Sequence, residues 1–415
     1  MLEQRRKIGL VDLLLLFIIA SLTFLIIPAW IPMLRKGWQL LIVATLVVLA
    51  VRHQYINAKA MFPLAVYALV VCLNAISGDA FVGSTTNAIN EVMMLFVPSA
   101  LALYCTTDSG TSFSKWLLRV TWLFLLIELV SSFIVLETQP GIIRGMHAMA
   151  RDESDPAYMF AFYRLGLLDY SMAHAIPILI PPLICYFKEG STRTKILCSL
   201  LIAMCFFLTW IAESTTAIML TILMIVLGLW VNTKASFGKN TRIIGFMVIL
   251  SVVVMSSDTI MMGLLDTASY LVGDESSQTD KIDELRMSLV EGQTTGDLGS
   301  RMDLYQTSIK QFFGSPIIGT NLLPGRHSSL LDKLATLGLV GFIPLALFFW
   351  YYLKSIWKSI RPQRRIYYLE CVTAAFLMLL FKGMWVWPIF LFLFMVTPSM
   401  LMQDVGRNNQ IKNIL

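Results

Sequence analysis

Gly325-Arg326-His327-Ser328 places a titratable imidazole and a fixed cation at the junction between a long polar stretch and an apolar helix carrying Gly338 and Gly341. An unperturbed imidazole titrates at about 6.5, so His327 can take a proton from a weak nucleophile near neutral pH. Guanidinium groups bind phosphate oxygens in a planar, two-pronged manner. Together these groups suit chemistry on an anionic, lipid-borne substrate.

Two helices are expected to position them. Ser300-Arg301-Met302-Asp303 reads as a capping box, after which Met302, Tyr305, Ile309, Phe312 and Phe313 mark one apolar face until Gly314-Ser315-Pro316 ends the helix. Arg301 then falls in the first turn, where the helix dipole disfavours a cation, so another interaction should hold it. Ser329-Leu330-Leu331-Asp332 reads as the cap of the next helix, whose unpaired N–H groups and positive dipole end favour a phosphate. Gly338 and Gly341 are expected to share a face and to act in helix packing, letting a second backbone approach.

Composition sets the wider frame. With 57% hydrophobic and 14% charged residues over 415 and a mean hydropathy of +0.72, the chain has more apolar surface than one water-soluble core can hide. About twelve apolar runs approach the roughly 20 residues needed to cross a bilayer: Gly9–Ile31, Trp38–Val51, Ala60–Ile76, Ala88–Tyr104, Trp116–Leu136, Ser171–Phe187, Ile196–Ile211, Thr215–Val231, Ile243–Met255, Lys333–Tyr352, Tyr367–Phe381 and Trp385–Met402. The expected fold is all-α, a polytopic membrane bundle forming a single domain over 1–415.

Basic residues give the orientation, since Lys and Arg are retained on the cytoplasmic side. Arg5-Arg6-Lys7, Lys188, Arg193 and Lys195, and the run from Lys354 to Arg365 fall in loops on one side, while 77–87 has no cation. Both termini are therefore expected in the cytoplasm, and the first run is expected to remain as a helix rather than be cleaved. The net charge of +6 is accounted for by inner loops facing anionic lipid, so the lipid bilayer is the expected partner and nucleic acid is not. The six cysteines fall in or beside the runs and frame no disulfide or paired metal site.

Two external loops, 137–170 and 256–332, are too long to be simple connections. The first carries Asp155-Pro156, a cap and first-turn proline opening a helix over Ala157–Leu168 that contains Arg164. In the second, Ile282, Leu285 and Leu289 recur at helical spacing. His147 and His174 lack a comparable motif and read as structural. Glu91, Glu128 and Glu370 lie within apolar runs but near their ends, as does Asp12.

His327-Ser328, then nine residues, then Gly338-Leu339-Val340-Gly341, preceded by Gly299-Ser300-Arg301 and Ser315-Pro316-Ile317-Ile318-Gly319, resembles the signature of the O-antigen ligase and O-antigen polymerase family. The likeness is specific over Gly299–Tyr352, a motif that continues from the second external loop to residue 352, and Arg164-Leu165-Gly166 resembles a weaker family feature. It implies a GT-C-like membrane fold in the bacterial inner membrane and an inverting, metal-independent glycosyltransferase with no cofactor. The donor would be a glycan linked to undecaprenyl diphosphate, used on the periplasmic side.

The resemblance also implies His327 as the catalytic residue and Arg301 and Arg164 as substrate-binding. One departure is that Glu213-Ser214-Thr215-Thr216 stands where family members often carry an arginine, which passes the diphosphate-holding role to Arg326, Arg144 or Arg151. The acceptor would be a second lipid-linked glycan in a polymerase, or lipid A-core in a ligase, with a chain-length regulator as a candidate partner. Serines and an aspartate after the histidine resemble the polymerase branch more than the ligase branch. A transporter of lipid-linked sugars is the reading from a different class, and should show repeated halves and helices broken near mid-membrane.

Overall fold

The computed structural model describes residues 58–77, 85–105, 110–138, 168, 170–212, 214–231, 238, 242, 245, 296–320, 325 and 327–402. Every regular element among them is helical. The principal helices are α1 Ala58–Ser77, α2 Thr85–Cys105, α3 Gly110–Thr138, α4 Tyr170–Glu189, α5 Thr192–Ile211, α6 Thr215–Trp230, α7 Gly296–Gly314, α8 Ser329–Ser359, α9 Arg365–Phe381 and α10 Trp387–Met402.

Five of these contain segments long and apolar enough to cross a membrane, α1, α3, α4, α5 and α8, while the apolar parts of α2, α6 and α10 are shorter. Each apolar run expected between residues 60 and 231, and between 333 and 402, coincides with a helix. The first two runs lie outside the described residues, as does Ile243–Met255 apart from Gly245. The helix expected over Ala157–Leu168, except for Leu168 itself, and the pattern at 282–289 also lie outside them.

The physical origin of the bundle is visible in which helices hide their surfaces. α10 is apolar on all sides, and its residues from Trp387 to Leu401 are buried, as a helix without a polar face must be. Phe394 of α10 packs against Tyr352 and Phe348 of α8, with ring centroids 4.8 and 6.2 Å away. A π-helical stretch at Phe392–Val396 widens α10 just before Pro398, which lacks an N–H and would crowd the preceding turn of a regular helix. In α4, Pro177, Pro181 and Pro182 accompany a 3₁₀ stretch at Ile176–Leu179. Helices α1, α3 and α5 instead present Phe62, Leu69, Phe133, Ile134 and Leu200 outward, a surface suited to acyl chains rather than water.

The ends of α9 define two opposite faces. At its start, Arg364 donates to Glu189 at the end of α4 (Nη2 to Oε2 2.7 Å) and to the Leu401 carbonyl in the last turn of α10 (3.2 Å). Lys188 on this face donates to the Gly228 and Leu229 carbonyls at the end of α6, each at 2.8 Å. At the other end of α9, the Lys382 carbonyl accepts from Ser329 N at the start of α8 at 3.2 Å. The Arg364 face is the one to which the basic-residue pattern assigns the cytoplasm. The six cysteines are unpaired, and all but Cys72 are buried.

α8 is not one continuous helix. Gly338 has φ +57° and ψ −164°, so a first segment ends at Leu337 and a second runs on to Ser359. The polar groups released by this break are taken up by the turn following α7. Leu339 N donates to Pro316 O and Val340 N to Ile317 O, both at 2.9 Å, while Ala335 O accepts from Thr320 N at 3.0 Å. The turn thus replaces the i to i−4 bonds that the helix gives up.

Candidate functional site at the mouth of α8

α7 runs beside the start of α8 and supplies the first anchors. Tyr305 donates its hydroxyl to the Phe381 carbonyl at 2.9 Å, fixing α7 to the end of α9. One turn on, the Ser308 hydroxyl donates to Asp332 Oδ1 at 2.7 Å and accepts from Gly325 N at 3.0 Å. Gly325 lies against the α7 backbone so closely that a Cβ there would sit 2.1 Å from the Leu304 carbonyl oxygen. Only glycine allows this approach.

Gly325 is thus anchored on one side of the Arg326-His327 pair and Ser328 on the other. Ser328 Oγ accepts from Leu331 N at 3.3 Å and caps α8. Half-buried between these anchors, His327 meets the Tyr305 ring edge-on, with centroids 6.4 Å apart and planes at 78°. The imidazole is therefore carried on a short, doubly pinned segment directly ahead of a helix N-terminus.

The structure corrects three sequence expectations here. The cap of α8 is Ser328, not Ser329, because the Ser329 hydroxyl and N–H both donate to the Lys382 carbonyl, each at 3.2 Å. Those bonds, with Ser328 on Leu331 N, occupy first-turn N–H groups expected to be unpaired, leaving the dipole as the main attraction for an anion. Third, α7 begins at Gly296, so Arg301 lies in its second turn rather than its first, clear of the unfavourable dipole end.

Position 301 shares a helical face with positions 305 and 308 by its i, i+4, i+7 spacing. The side chain of Arg301, and residues Arg326, Arg164, Arg144 and Arg151, lie outside the described residues. Gly338 and Gly341 do not share a regular helical face, since the chain breaks at Gly338. A Cβ on Gly338 would lie 2.4 Å from both Gly319 N and Ile317 O; on Gly341 it would meet Leu337 at 2.5 Å and Val70 at 3.2 Å.

Several contributors were not singled out for the site from the sequence. Lys333, in the first segment of α8, donates to Glu91 of α2, which also accepts from the Tyr67 hydroxyl of α1. The Lys333 ammonium lies 5.3 Å from the centroid of the Trp385 ring. This largely buried pair joins the His327-bearing segment to α1 and α2, giving Glu91 a structural task. Lys382 carried a signal that could have been used: a lysine between two apolar runs on the side that charge patterning leaves poor in cations.

His174 takes no part in this cluster. It is fully buried in α4, with Nδ1 2.7 Å from the Tyr170 carbonyl and Nε2 2.8 Å from Ser214 Oγ. A carbonyl only accepts, so Nδ1 carries the proton, and in the neutral ring the Ser214 hydroxyl donates to Nε2. Ser214 caps α6 by accepting from Ala217 N. His147 lies outside the described residues. Among the described residues, no group of three or more His, Cys, Asp or Glu side chains is arranged to hold a metal.

Compared with known proteins, the chain matches no family model and no curated protein sequence.

Proposed function

We propose that the protein is an inverting, metal-independent membrane glycosyltransferase that uses a glycan linked to undecaprenyl diphosphate, and that it acts as a polymerase of bacterial surface polysaccharide at the periplasmic face of the inner membrane. The observation that carries this reading is the placement of His327, pinned between Gly325 and Ser328 at the mouth of α8 and against Tyr305. The motif supports it, because its Ser315–Gly319 and Gly338–Gly341 pieces meet at one helix break and His327-Ser328 lies at the mouth of the same helix.

In this mechanism, an acceptor sugar hydroxyl attacks the anomeric carbon while His327 takes its proton, which makes a weak nucleophile competent. The new glycosidic C–O bond forms as the bond to the diphosphate oxygen breaks on the opposite face, inverting the configuration. Undecaprenyl diphosphate leaves with the bonding electron pair. Arg301, Arg326 and Arg164 are assigned to its developing charge, assisted by the α8 dipole in a site sheltered from water.

Behind the ligase alternative stands a reading from a different class, a transporter of lipid-linked sugars, which the break at Gly338 favours because broken helices form substrate and ion sites in such proteins. It is the weaker reading. The turn after α7 takes up Leu339 N, Val340 N and the Ala335 carbonyl, groups that a transporter would direct at its cargo.

Glycan profiling of a deletion strain tests the proposal. Loss of a polymerase leaves core capped with a single repeat unit. Bare core with lipid-linked polymer would assign the protein as a ligase to lipid A-core, while retention of undecorated lipid-linked repeat units on the cytoplasmic side would assign it to transport.

A further inference from the structure

The turn after α7 combines two properties that rarely occur together in an external loop. Together with Phe313 in the last turn of α7, at 73%, it exposes large apolar side chains, Ile317 at 65% and Ile318 at 68%. It also pairs several of its backbone polar groups inside the protein, leaving the Ile317 and Ile318 N–H groups outside that set. Ser315 N donates to the Phe312 carbonyl at 3.1 Å, Gly319 N to Ser315 O at 3.0 Å and Thr320 N to Ala335 O, while Pro316 and Ile317 accept from α8. Pro316 itself has no N–H to satisfy.

A loop in water has no need of either feature, since water solvates backbone groups and penalises bare isoleucines. A non-helical segment in hydrocarbon is favoured by both. The sequence agrees, with no charged residue from Gln311 to Gly325. The exposed apolar surface is also continuous with α8. Ile317 is bonded to Val340, which is exposed on α8 together with Ile343 one turn further on, in a helix long enough to span a bilayer.

We infer that the Phe313–Ile318 turn is embedded in the bilayer, a wedge whose exposed side chains contact lipid acyl chains in the leaflet on the His327 face. The amphipathic α7 then lies along the edge of that leaflet, with Asp303, Gln306 and Lys310 exposed on its polar side. The consequence is positional: the α7–α8 junction carrying His327 is held at acyl-chain level on one flank, where a lipid-borne molecule can reach it from within the membrane. The inference does not depend on the glycosyl-transfer reading and would hold for a protein of any activity with this turn.

The test places a single nitroxide on the full chain, with the native cysteines replaced, in phosphatidylethanolamine–phosphatidylglycerol proteoliposomes. A label at Ile318→Cys should behave like one at Ile343→Cys, relaxed strongly by oxygen and weakly by a water-soluble nickel chelate. A label at Asp303→Cys should show the reverse. Nickel-chelate relaxation at position 318 equal to that at 303 would overturn the inference, as would spin–spin broadening there, which would place a second copy of the chain on the surface. In parallel, benzoylphenylalanine in place of Ile318 in the otherwise native chain should yield, on illumination, an adduct of phospholipid mass. A cross-linked dimer, or no lipid adduct, would equally overturn it.

Discussion

Gly319 and Gly338 face each other across the break in α8, both with positive φ, at +78° and +57°. Neither position has room for a side chain: a Cβ on Gly319 would lie 2.0 Å from the Thr336 carbonyl oxygen, and one on Gly338 would lie 2.4 Å from Gly319 N. This glycine pair lets the turn enter the helix, and the turn in turn sets where the first segment of α8 and its histidine lie.

Gly338→Ala should therefore be costly. A non-glycine residue in a strained backbone region costs about 1–3 kcal/mol, before the clash with Gly319 is counted. We expect a clear fall in the thermal unfolding midpoint of the detergent-solubilised protein. Gly314→Ala, where a Cβ meets nothing within 4 Å, should leave the midpoint unchanged. Equal midpoints for the two variants would show that the break is not tightly built.

The Lys333–Glu91 pair should behave as a buried ion pair, with side chains 13% and 8% exposed. Removing one partner strands the other, at a cost of about 3–5 kcal/mol. Glu91→Gln and Lys333→Met should each lower the unfolding midpoint, and the double variant should recover much of the loss because no charge is left unpaired. A double variant as destabilised as the sum of the singles would mean that the two residues act independently.

How much of this was legible in the sequence differs by level. Runs such as Ala60–Ile76 and Ile196–Ile211 were readable because hydrophobic length is a local property, and the corresponding helices lie where expected. Ser329 fits the Ser-x-x-Asp cap pattern and its neighbour Ser328 does not, yet the Lys382 carbonyl, which is remote in sequence, engages Ser329 and leaves the cap to Ser328. Gly338 and Gly341 read naturally as two small residues on one helix. Nothing local distinguishes that from a broken helix, because the partner that fills the break, Pro316–Thr320, arrives from a different element. Lys333 and Glu91 could each be noticed as charges within apolar runs, but their pairing across α8 and α2 is tertiary information.

The most direct measurement is transfer by purified, reconstituted protein supplied with a synthetic undecaprenyl-diphosphate-linked repeat unit, with chain extension followed by mass spectrometry. The native protein should extend the chain, and His327→Ala should lose about 10²–10⁴-fold, the usual contribution of a general base, with the unfolding midpoint preserved. Undiminished extension by a well-folded His327→Ala protein would contradict this role for His327.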